Sequence, residues 1–123
     1  MYKSILKWVL FAAAFGALSA CSSAPKPKTE LALSNAALQN AEVAGAESLA
    51  PLELRTAREK QAQADKAVSK KNFNTAKQLS EQAAVDAELA KAKSEAEKSR
   101  LAVEETNESI QLIRTELERP AAQ

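Results

Sequence analysis

Residues 73–119 read FNTAKQLSEQAAVDAELAKAKSEAEKSRLAVEETNESIQLIRTELER, and no proline or glycine interrupts them before Pro120. Most of these residues are Ala, Leu, Glu, Lys, Gln or Arg, the strongest helix formers. Asn72 stands where a helix N-cap belongs, and Pro120 cannot continue a helix, so the spacing predicts one helix over the whole stretch. At 1.5 Å per residue it would be about 70 Å long. Two stripes run along it. The first, Phe73, Ala76, Ser80, Ala83, Ala87, Ala90 and Ser94, is nearly all small and suits close packing against other helices. The second, Val85, Leu89, Ala92, Ala96, Ser99, Val103, Thr106, Ile110, Ile113 and Leu117, keeps an unbroken 3-4 spacing and carries its larger side chains toward the C-terminus.

Ser69-Lys70-Lys71-Asn72 breaks the pattern before this helix. A second helix is expected over about 51–70, with Pro51 at its favoured first position and Leu54, Ala57, Gln61, Ala64 and Val68 on its inner stripe. A first helix is expected over about 29–46, with Thr29 as N-cap and Glu30 in its first turn. Leu31, Ser34, Leu38, Ala41 and Gly45 form one stripe there, further apolar residues suggest two neighbours, and Gly45 weakens the end. Each of these helices would reach only about 27 Å, so the last one outruns its partners. The expected class is all-α, with short antiparallel helices packed on one long C-terminal helix, part helical hairpin and part coiled coil. The four exposed aliphatic residues Val103, Ile110, Ile113 and Leu117 form a candidate interaction stripe for a protein partner or a second copy. The alternatives are a helix that bends near Thr106-Asn107 and folds back, or a frayed tail.

Composition fits one small helical domain. The 123 residues are 46% hydrophobic but 4% aromatic. Tyr2, Trp8, Phe11 and Phe15 all precede Cys21, which leaves Phe73 as the one aromatic beyond it. Alanine supplies most of the remaining apolar surface, so the core must be thin. Sheets are disfavoured because β-branched and aromatic residues are scarce.

The N-terminal stretch has a separate logic. Lys3 and Lys7 make a basic start, and Trp8 to Ala20 is an uncharged apolar run shorter than the roughly 20 residues a spanning helix needs. It ends in Leu18-Ser19-Ala20-Cys21, the pattern at which bacterial lipoprotein precursors are cut. The resemblance implies a signal peptide over 1–20, with Leu18, Ser19 and Ala20 read by the signal peptidase. Cys21 would become the mature N-terminus, bearing a diacylglyceryl group on sulfur and an acyl chain (palmitate, for example) on nitrogen. One acyl chain holds a protein only marginally, whereas three make release negligible. Residues 21–28 then form a Pro-containing leash, Ser22-Ser23-Ala24-Pro25-Lys26-Pro27-Lys28. By analogy with enterobacterial lipoproteins, Ser22 rather than Asp after the cysteine favours the periplasmic face of the outer membrane.

Removing Lys3 and Lys7 from the 17 basic residues leaves 15 against 16 acidic ones. That balance lacks the basic patch a nucleic acid requires. There is no histidine, Cys21 is the single cysteine, and only Gly45 remains after the leader, so the usual bases, nucleophiles, metal ligands and phosphate loops are missing. Glu104 and Glu105 are adjacent and point about 100° apart on a helix, which does not make a carboxylate pair. Glu104 with Glu108, Glu88 with Glu95, and Glu81, Asp86 and Lys93 read as solvated charges. The expectation is a noncatalytic protein without cofactor or metal.

Ala50-Pro51-Leu52-Glu53-Leu54 followed by Ala57-Arg58-Glu59-Lys60, then Asn72-Phe73-Asn74-Thr75-Ala76 and Leu79-Ser80-Glu81-Gln82-Ala83, carry a further resemblance. In this order they resemble the DUF4398 family, uncharacterised Ala-rich envelope lipoproteins, over roughly residues 30–98. Members often occur with peptidoglycan-binding domains of the outer-membrane-protein-A type, fused or encoded nearby, so the resemblance implies such a protein as a partner. The same hairpin is similar to one tetratricopeptide unit through Phe73, Ala76 and Ala83, although Ser80 replaces its large aromatic and a solenoid needs about three repeats. Together these readings lead us to expect a lipid-anchored periplasmic interaction or scaffolding module. The alternatives are an activator of a cell-wall enzyme, or a coiled-coil tether akin to the major murein lipoprotein. That tether would be noncovalent, since Pro120-Ala121-Ala122-Gln123 offers no terminal lysine for a wall linkage.

Overall fold

The computed structural model describes residues 25–119. They form four helices: α1 (Lys28–Val43), α2 (Ala46–Leu49), α3 (Pro51–Ser69) and α4 (Phe73–Glu118). No strand occurs among the described residues, and the short helices pack on α4, as the sequence predicts.

Ion pairs give the directions. Lys60 reaches Asp86 at 2.5 Å, and Lys93 pairs with Glu53 further along, so α3 and α4 run antiparallel. Lys77 meets Glu30 at 3.3 Å, while the side chain of Lys98 lies over Gly45. Hence α1 runs parallel to α4. The described chain enters beside the start of α4, and the C-terminal half of α4 projects from the opposite pole.

Alanine makes the core. Ala41, Ala57, Ala64, Ala76, Ala83, Ala87 and Ala90 are fully buried, and among the described residues Leu38 and Leu54 are the only larger aliphatic side chains buried with them. A methyl group lets helix axes approach closely, so the interior is shallow. The predicted small-residue stripe of α4 is the buried one, from Ala76 through Ser80, Ala83, Ala87 and Ala90 to Ser94, with Phe73 half-buried at its start. Ser80 and Ser94 return their hydroxyl protons to the carbonyls of Ala76 and Ala90 at 2.9 and 2.7 Å, so neither needs a partner across the interface. Ser34 of α1 meets the side-chain amide of Gln61 of α3 at the centre, a polar contact within the alanine layer.

The ends of the elements differ from expectation in four places. α1 starts at Lys28, one residue before the expected cap, so Thr29 lies inside the first turn and Pro27 takes the cap position. Its other end is Val43 rather than residue 46: Gly45 adopts φ 82° and its N–H bonds to the Glu42 carbonyl at 2.9 Å. The chain then turns into the separate short helix α2. On α3 the last inner position is Ala67, with Val68 only half-buried. α3 closes in a Schellman motif, in which the Lys71 N–H bonds to the Val68 carbonyl and the Asn72 N–H to the Ala67 carbonyl, each at 2.9 Å. Lys71 takes the left-handed conformation, φ 60°, that such motifs usually give to glycine. Asn72 does stand at the N-cap of α4, but its backbone carbonyl rather than its side chain takes the bond, from Ala76 N–H at 2.9 Å.

Candidate functional site: the unpartnered half of the long helix

Packing along α4 stops well before the helix does. Ser94 is its last buried residue, and every residue from Lys98 to Arg119 is exposed. The helix nevertheless continues unbroken to Glu118. At Thr106 the hydroxyl donates to the Ala102 carbonyl at 2.7 Å without interrupting it. The fold-back alternative is thereby overturned: no turn forms at Thr106-Asn107, and no described residue of the tail returns to the short helices.

The projecting half keeps its shape with local means. Arg100 donates to Glu97 at 2.7 Å and to Glu104 at 3.0 Å, one turn to either side. Glu97 and then Glu104 hold the Arg100 guanidinium charged beyond its already high ordinary value, and Arg100 in turn pulls the Glu97 carboxyl below the usual carboxylate range. The packed half uses longer links. A hydrogen bond from Lys93, helped by a backbone N–H at the start of α3, lowers the Glu53 pKa. Arg58 clamps the α1–α2 corner by donating to Glu42 at 2.6 Å and Glu47 at 2.7 Å, and these acids raise its pKa, Glu47 first.

The four predicted stripe residues are all on the projecting half and all open to solvent: Val103 is 61% exposed, Ile110 41%, Ile113 60% and Leu117 80%. The stripe also extends backward past the packed half, where Val85 and Leu89 are exposed at 64% and 47%. Helical geometry explains how both halves share one stripe. Val85 precedes buried Ala87 by two residues and Leu89 follows it by two, so each lies about 160° around the axis from it. The stripe therefore runs down the back of α4, opposite the short helices. Leu101 and Leu112 are also exposed but lie off this stripe, and Leu112 lines a shallow groove with Arg100, Asn107 and Gln111. Stripe counting passed them over because neither keeps the 3-4 spacing.

The predicted lipidation residue Cys21 and the recognition residues Leu18, Ser19 and Ala20 lie outside the described residues. Among the described residues there is no cluster of three or more potential metal ligands, and no helix is long and apolar enough to cross a membrane.

The sequence pattern of a domain of unknown function, DUF4398, matches residues 29–106, well over half of the chain. The chain belongs to the DUF4398 family. No curated protein and no solved structure matches it. The DUF4398 match takes in α1, α2, α3 and the packed half of α4, then stops at Thr106. Ile110, Ile113 and Leu117 thus lie on a continuation of α4 beyond the matched region.

Proposed function

We propose that this chain is a lipid-anchored, noncatalytic protein of the bacterial envelope, an interaction or scaffolding module held at the periplasmic face of the outer membrane. The observation that carries this reading is the division of the molecule into two poles. The chain enters the helical domain beside the start of α4, which would put an acylated Cys21 and its leash at that pole. The exposed aliphatic residues of α4 lie at the far pole, turned away from the helices that brace it. An anchor at one end and an apolar contact surface at the other is the layout a tethered adaptor needs. The described residues supply side chains for packing and for ion pairs. The length of α4 also suits a noncovalent coiled-coil tether, in which the tail meets the cell wall through a peptidoglycan-binding partner.

The mass of the N-terminal peptide of the mature protein tests the anchor. An acylated cysteine at position 21 is expected, in the membrane fraction, and Cys21→Ser should leave an uncut precursor. A mature protein that begins at any other residue overturns the reading.

A further inference from the structure

The stripe on the back of α4 is a coiled-coil seam, and its flanks are charged. Written as heptads, Leu89, Ala96, Val103, Ile110 and Leu117 occupy one seam position, while Val85, Ala92, Ser99, Thr106 and Ile113 occupy the other. No residue breaks the spacing over roughly 48 Å of helix. A strict seven-residue repeat drifts on a straight helix, so it favours a left-handed supercoil with a partner of the same repeat. Glu88 and Glu95 border the seam on one side, and Lys93 and Arg100 border it on the other.

We propose that the seam is covered by a second copy of this chain, aligned parallel and in register. This deepens the adaptor reading above, since two copies anchored in one membrane would present their α4 helices in the same direction. Charge complementarity selects the arrangement. In a parallel pair each flanking residue faces the opposite flank of its neighbour five positions further on. That places Glu95 against Arg100 of the second copy, and Glu88 against a Lys93 that also holds Glu53 of its own α3, each twice by symmetry. An antiparallel pair overlapping the same stripe sets Glu88 against Glu116 and Arg100 against its own equivalent, with Asp86 against Arg114 as its attraction. The parallel match also ends where the apolar residues end. One heptad toward Phe73 the seam residues are Gln78 and Gln82, and Glu81 would face Asp86 of the second copy. The short helices leave the apolar seam open, while its flanks border them: Glu88 and Glu95 line a groove beside α1, and Lys93 pairs with Glu53 of α3.

Disulfide trapping in native membranes tests the pairing on the full chain. Ile110→Cys places a thiol in the seam and should give a cross-linked homodimer at least five times more often than Glu108→Cys on the outer face. Glu95→Arg in the Ile110→Cys chain should lower that yield about threefold or more, and adding Arg100→Glu should restore it. Two results would overturn the proposal. One is a mixed dimer of Leu89→Cys with Ile113→Cys while Ile110→Cys stays monomeric, which is the antiparallel outcome. The other is no homodimer at all, with the Ile110→Cys thiol captured by a different protein. The parent chain separates this proposal from the anchor. Its only cysteine is Cys21, so a disulfide dimer of the parent would report an unacylated Cys21 and defeat the lipoprotein reading, and the seam result is then read with Cys21→Ser.

Discussion

The two halves of α4 share one secondary structure but differ in side chains, alanine-rich in the first and richer in Leu, Ile and Val in the second, and they are held by different forces. From Phe73 to Lys98 the helix is braced: its alanine and serine stripe is fully buried against α1 and α3. From Ser99 to Glu118 it stands alone, with 80% of Leu117 open to solvent. A free peptide of that length would be marginally helical, because starting a helix is costly while extending one is cheap. The braced half supplies the start, and the tail only has to propagate, helped by pairs such as Arg100–Glu104. Small side chains bring the short helices close at one end, and larger aliphatic ones remain unpartnered at the other.

The sharpest way to break the comparison is to make the same kind of truncation against the braced half, from α3, and within the free half. Leu54 is 1% exposed against the braced stripe, so Leu54→Ala should cost about 2–5 kcal/mol in urea unfolding followed by circular dichroism. Leu101→Ala in the tail should change the same curve by no more than about 0.5 kcal/mol. Equal losses would mean that the tail is packed after all.

A smaller effect is expected where bracing ends. Gly45 holds φ 82°, and a Cβ placed there would lie 3.4 Å from Lys98 Cε, so the residue both turns the chain and admits the lysine stem. Gly45→Ala should destabilise by roughly 1 kcal/mol, the left-handed strain of an L-residue less the gain from a stiffer unfolded chain. The opposite sign is expected at the other pole. Lys71 already carries that strain at φ 60°, and Lys71→Gly should raise stability by about 0.5 kcal/mol in thermal melts.

What the sequence discloses follows the same division. The long helix, its two stripes and the mismatch in length were legible because each depends on periodicity over many turns, and Ala76 through Ser94 sit buried as the pattern requires. The ends were less legible. Gly45 was readable as a weak point but not as a left-handed turn into a separate helix, since that depends on where α3 must begin. Nothing in Lys71 announces a left-handed residue: the Schellman bonds to Val68 and Ala67 impose it. Val68 and Ala67 follow Ala64 by four and three residues, so the 3-4 spacing admits either, and the structure buries Ala67. The stripe on the back of α4 was found, whereas its position opposite the packed face became plain only once Ala87 was placed.

The parallel run of α1 and α4 turns the molecule into a gauge. From the level of Lys77, beside Glu30, to Glu118 the helix climbs about 60 Å. That reach is written in residue count alone, because no described residue folds against the upper half to bend or shorten it. Excising one heptad there, residues 103–109, would lower the tip by about 10 Å and leave the remaining stripe in phase. The height of the tip above the braced base is thus a quantity that evolution can adjust seven residues at a time, without touching the base itself.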